Sequence, residues 1–89
     1  MGQVVSTLQA LHFCRKHRID ISTLLVRHAS GDWGDITTAD KCVNDAAVLD
    51  GRRILSAYSF SAGRVWVLTE ATGENGVRAS TCIMLPSDY

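Results

Sequence analysis

From Arg53 onward the spacing of apolar residues changes, and that change limits the folds open to the chain. Before it, Leu8, Leu11 and Cys14 recur every three or four positions, the period of a helix buried along one side. After it, "RILSAYSF" and "RVWVLTE" are strand-like runs separated by Ser61-Ala62-Gly63, a compact loop of the kind that closes a hairpin. In the second run Val65, Val67 and Thr69 face one way, and Arg64, Trp66, Leu68 and Glu70 the other. The polar loop "ATGENGV" leads to a third strand, "RASTCIMLP", which stops at Pro86 because proline has no amide to give a ladder. The expected fold class is therefore α+β, with two or three N-terminal helices packed on a three-stranded antiparallel β-meander. With 89 residues there is no room for a second core, so 1–89 reads as a single domain.

The helix limits follow from capping chemistry. Ser6 can cap the first helix, with Gln9 reaching back to complete the box. A second helix, roughly Ser22 to Ala29, can bury Leu24, Leu25 and either His28 or the apolar stem of Arg27. Thr37 opens T-x-x-D with Asp40, so a third helix is expected over about Thr38 to Leu49. It would turn Cys42 or Val43, Ala46, Ala47 and Leu49 to one side and end at Asp50-Gly51, where glycine accepts a left-handed backbone.

Charge removes several functional classes. Nine basic and nine acidic residues cancel, so nucleic acid is not expected as the main partner, since phosphate neutralisation needs clustered cations. The one basic cluster, Arg15-Lys16-His17-Arg18, complements the negative end of its own helix. The first residues show neither a basic start nor a long apolar run, and no stretch is long enough to span a membrane. Cys14, Cys42 and Cys82 are odd in number and widely spaced, which reads as buried thiols in a reducing, cytoplasmic setting. His12, Cys14 and His17 do not share a helical face and no C-x-x-C pair exists, so no metal is expected. A P-loop, a dinucleotide glycine motif and a nucleophile elbow are all missing, and no cofactor is expected.

The densest group of functional side chains is "HASGDWGDI", residues 28–36. As scaffolding, Asp32 and Asp35 accept backbone amides, Gly31 and Gly34 supply positive φ, Trp33 covers the sheet edge and His28 bridges helix to loop. As an active site, His28, Asp32, Arg53, Tyr58 and Glu70 would converge on one cleft. There the imidazole would move a proton and the guanidinium would hold a phosphate or carboxylate, as a small metal-independent nuclease or nucleotide-directed enzyme requires. As a binding surface, Trp33, Asp32, Asp35, Glu74, Asn75 and Arg78 would anchor a protein partner, with self-association through an exposed sheet edge as another route.

Three segments together, "GDWGDITTADKCVNDAAVLDGRRILSAY", "RVWVLTEA" and "TCIMLPSDY", resemble a family of small uncharacterised bacterial proteins found on plasmids and phages. Its members are labelled plasmid-related protein or, mistakenly, type I restriction subunit. The family pattern falls on Arg27, His28, Gly31, Asp32, Trp33, Gly34, Asp35, Asp40, Asn44, Arg53, Leu55, Ser56, Tyr58, Trp66, Thr69, Glu70 and Tyr89. The family's tight E-A-D-R turn is opened here into "EATGENGVR", which removes its aspartate. The resemblance implies a mobile-element origin and, most concretely, a non-enzymatic inhibitor of a host defence complex such as a CRISPR effector or a restriction enzyme.

Overall fold

The computed structural model describes residues 2–73 and 75–89 and places a strand ahead of the helices. The order is β1 (Gln3–Ser6), α1 (Leu8–Lys16), α2 (Ile21–Ala29), α3 (Thr38–Asp50), β2 (Ile54–Phe60), β3 (Gly63–Thr69) and β4 (Ser80–Met84), then a 3-10 turn over Pro86–Asp88. β2, β3 and β4 form the antiparallel meander that their alternation predicts. β1 joins it in parallel beside β4, with Gln3 opposite Ser80 and Ser6 opposite Ile83, giving the order β1-β4-β3-β2. The α+β class therefore holds. The sheet is four-stranded and mixed rather than three-stranded and antiparallel, and the helices lie between β1 and β2 rather than at the N-terminus. β1 escapes a reading by pattern because all four of its residues are exposed, so no in–out alternation marks it.

Local signals elsewhere act as their chemistry dictates. The Thr37 hydroxyl accepts from the Asp40 amide at 3.0 Å, and Gly51 ends α3 at φ 83°. Thr7, not Ser6, caps α1 by accepting from the Ala10 amide at 3.0 Å, because Ser6 is still in the strand.

The helix-facing side of the sheet carries two apolar clusters. Ala10 and Cys14 of α1 and Leu24 of α2 pack on Tyr58, Val65, Val67 and Ile83. Trp33, Ala47 and Ile54 form the second cluster under α3. α3 buries Asn44 and Ala47, while Cys42 is exposed and Leu49 is 90% exposed, so of the expected inward side Ala47 holds its place and Cys42 and Leu49 do not. Of the three cysteines only Cys14 is buried.

The reason is that α3 lies against the edge of β2 and not over the sheet. The Asn44 side chain donates to the Leu55 carbonyl at 2.8 Å and accepts from the Leu55 amide at 3.3 Å. One turn of strand further on, the Asp35 amide donates to the Ala57 carbonyl at 2.7 Å, and the Ala57 amide donates to the Trp33 carbonyl at 3.1 Å. The β2 edge is thus closed by a side chain and a loop, which is how sheets avoid unwanted pairing. Among the described residues β1 pairs only with β4: Gln3 and Thr7 donate to β4, so by strand alternation the Val4 and Ser6 amides point away from the sheet. Among the described residues no helix is long and apolar enough to cross a membrane.

Candidate functional site

His28 lies in the last turn of α2, directly over the polar seam between the two apolar clusters, and is 3% exposed. Its Nδ1 is 2.6 Å from the Ser56 hydroxyl and its Nε2 is 2.7 Å from the Thr69 hydroxyl. Thr69 in turn lies 2.9 Å from the hydroxyl of Thr81, its cross-strand neighbour. The Tyr58 hydroxyl donates to the Asp32 carbonyl at 2.7 Å. Each imidazole nitrogen thus meets a buried hydroxyl, and in the neutral ring one of the two donates while the other accepts. The Trp33 ring meets the imidazole edge-on at 5.6 Å between centroids.

Burial, and then nearby positive charge including Arg78, push the His28 pKa down to about 4. The ring is therefore neutral at physiological pH, and both nitrogens are already engaged by hydroxyls. Ser56 is fully buried, so its hydroxyl faces the interior of the fold and not solvent.

The remaining members of the expected cleft divide between two sides of the sheet. Asp32 is bound through both oxygens by Arg27, at 2.6 and 3.3 Å, and this hydrogen bonding holds its carboxyl below the usual carboxylate range. The Arg27 guanidinium also sits over the Tyr58 ring, 4.5 Å from its centroid, and burial raises the Tyr58 pKa. By strand parity Arg53 and Glu70 belong to the opposite face, with Trp66. There Arg53 lies 3.7 Å from Glu70 and donates to the Tyr89 hydroxyl at 3.2 Å, while Tyr89 packs edge-on against Trp66. Tyr58 thus meets Asp32 only through its backbone carbonyl, His28 faces Ser56 and Thr69 instead, and Arg53 and Glu70 lie on the other face. One cleft holding all five is not formed.

The expected binding residues are also placed differently. Trp33 is 5% exposed, and its indole N–H donates to Asp45 at 2.9 Å, so it anchors α3 and offers little surface to a partner. Asp35 and Asn75 are exposed, and Asn75 accepts from the Val77 amide at 3.1 Å. Glu74 lies outside the described residues. Arg78 is half-buried and reaches three carbonyls: Nη1 donates to Arg52 at 2.8 Å and Glu70 at 3.0 Å, and Nη2 donates to Ala47 at 2.9 Å. Placing a cation on the Ala47 carbonyl satisfies the C-terminal end of α3.

Pattern reasoning passed over two features. The hydroxyls of Ser56, Thr69 and Thr81 occupy inward positions of their strands, and three hydroxyls on a buried face were the legible sign that a polar group sits above them. The second feature is the solvent side of α3. Val48 and Leu49 border a concavity of about 500 Å³ shared with Gly51, Thr72 and Val77. A narrower cavity of about 210 Å³ opens beside it, lined by His28, Ala29, Trp33, Val48, Ile54, Thr69 and Arg78. Among the described residues no three His, Cys, Asp or Glu side chains are grouped to hold a metal ion. No family model, curated protein or solved structure matches the chain, so the geometry of these residues is the ground on which its function is proposed.

Proposed function

We propose that this chain is a non-catalytic binding domain that docks on a partner protein through the solvent side of α3 and the loop after β3. One observation carries this reading: Leu49 is 90%, Val77 58% and Val48 52% exposed around a single concavity. Apolar side chains gathered at the surface favour burial against another molecule. The groups that could do chemistry are, in contrast, engaged within the fold, His28 by hydroxyls and Asp32 by Arg27. The partner expected from the resemblance to plasmid- and phage-borne proteins is a host defence complex, of the CRISPR or restriction type, and the action is occlusion of its surface.

The test is photo-crosslinking from position 49 or 77 in cells that carry such a complex, paired with plating efficiency of a targeted phage. Leu49→Asp combined with Val77→Asp is expected to weaken partner binding at least about 100-fold, which corresponds to about 3 kcal/mol. The same variant should unfold at the same denaturant concentration as the parent. Full binding by the double variant would rule out this surface. Unchanged plating under every defence system tried would rule out counter-defence.

The outer β1 edge favours a second arrangement, in which two copies pair strand to strand. Val4 and Val5 are 44% and 40% exposed there, with no charged residue in β1 to block pairing. Sedimentation velocity is then expected to show a dimer that Val4→Pro dissolves, because the Val4 amide points outward and its loss spares the β1–β4 ladder. A monomer at all concentrations would exclude this arrangement.

A further inference from the structure

The narrower cavity has a chemical character that the docking surface lacks. Its walls are mostly apolar: the Trp33 ring, Ile54, Val48 and Ala29. No carboxylate lines it, and its single charged group is Arg78. A guanidinium carries five N–H donors. Arg78 spends three of them on the carbonyls of Arg52, Glu70 and Ala47. Nε–H and one Nη2–H are left without an acceptor among the described residues, and no carboxylate among those residues pairs with this side chain. Arg27 shows what the Nε and Nη2 donors do when a carboxylate is within reach, since it grips Asp32 through those two atoms.

The Nε atom of Arg78 is not buried, so these spare donors are free to exchange water for a ligand's carboxylate. The neutral His28 ring and the Thr69 hydroxyl form the polar part of the floor, but their donors and acceptors already face Ser56, Thr81 and one another. The lining therefore offers charge recognition at one end and apolar contact over the rest. At about 30 Å³ for each water-sized group, 210 Å³ holds roughly seven such groups, the size of isovalerate, and the half-open mouth lets the larger benzoate ring project from it.

We propose that this cavity binds a small organic acid, its carboxylate held by the Arg78 guanidinium and its apolar body packed against Trp33, Ile54 and Val48. The site shares Val48 and Arg78 with the lining of the docking concavity but needs no partner protein, so acid binding is tested on the purified chain alone and its failure leaves the docking reading, which is tested by partner binding, untouched. Affinity comes from the charge-assisted hydrogen bonds at one end, and selectivity against neutral compounds comes from the same bonds.

Benzoate and isovalerate are the probes, titrated into the purified protein while amide and indole N–H resonances are followed. Saturable shifts at the Trp33 indole and the Ala29 amide are expected, with benzamide at least tenfold weaker than benzoate. Arg78→Gln should remove binding, but it also frees the end of α3, so Val48→Phe is the companion variant. Val48 is half exposed and tolerates the larger ring, which fills the mouth of the cavity and should abolish benzoate binding without lowering stability. Equal affinity for benzoate and benzamide, no saturation by either acid up to 10 mM (roughly 3 kcal/mol of binding at most), or undiminished binding by Val48→Phe would overturn the proposal.

Discussion

Replacing His28 by alanine is expected to lower the unfolding free energy by about 3–4 kcal/mol, measured by urea denaturation at pH 7.5. The imidazole joins α2 to β2 and β3 through the Ser56 and Thr69 hydroxyls, and both of those residues are buried. Its removal takes away the partner of both hydroxyls, Ser56 at a fully buried position, and leaves a ring-sized void against Trp33. For a small domain stable by about 5–15 kcal/mol, that loss is a large share of the total. The triple variant His28→Leu, Ser56→Ala, Thr69→Val should recover much of it, because removing both sides of a buried hydrogen bond is far less costly than removing one. A catalytic histidine in an open cleft would show the reverse, with stability intact and activity gone. Unchanged stability in His28→Ala would therefore refute the structural role.

The same residue sets a pH dependence with a defined sign. Its folded pKa of about 4 lies below the ordinary value of 6.5, so the unfolded chain binds the proton more readily. Stability is fully present above about pH 6.5 and falls as the pH drops toward 4, by up to about 3 kcal/mol from this group. In the triple variant this part of the acid sensitivity should vanish, which separates it from the contribution of Asp32. The Asp32 carboxyl is lowered by its bond to exposed Arg27 and loses its stabilising charge only at lower pH.

Much of the fold was legible because local chemistry and burial agreed. The meander alternates, with Val65 and Val67 buried at inward positions, and Thr37 and Gly51 mark the ends of α3 by capping chemistry alone. Where burial and pattern part, the sequence is silent. β1 has no buried residue, and its place beside β4 depends on a long-range parallel pairing that no local period records. On α3 Ala47 is buried as its spacing suggests, but Val43 and Leu49 point outward because the helix meets a strand edge, where Asn44 is worth more than a leucine: it satisfies the Leu55 amide and carbonyl together. The candidate site shows the same division. Glycines and aspartates mark the Trp33 loop as a structured turn, but the side of the sheet taken by Arg53 and Glu70 follows from strand parity. That parity is fixed only once the register with β3 is known.

Gly34→Ala is expected to be more damaging than its size suggests, about 4 kcal/mol or more, whereas Gly31→Ala three residues earlier should cost only about 1–2 kcal/mol. Both glycines have positive φ, 86° at Gly31 and 74° at Gly34, so the backbone penalty for an added Cβ is alike. Their surroundings differ. A Cβ at Gly31 would find only Trp33 Cζ2, at 3.9 Å, whereas at Gly34 it would strike the Ala57 carbonyl oxygen and come within 2.8 Å of Tyr58 Cδ1. The loop cannot step back, because the Asp35 amide and the Trp33 carbonyl are both bonded to Ala57 on the β2 edge. Yielding would break those two bonds, uncover the edge and withdraw Trp33 from Ala47, Ile54 and His28. Denaturation of the two variants side by side, with Trp33 fluorescence as the second readout, isolates the packing effect from the conformational one. Equal losses in both would mean that the tryptophan loop moves freely over the edge, and neither the shielding of β2 nor the fixed wall of the Arg78 cavity could then be maintained.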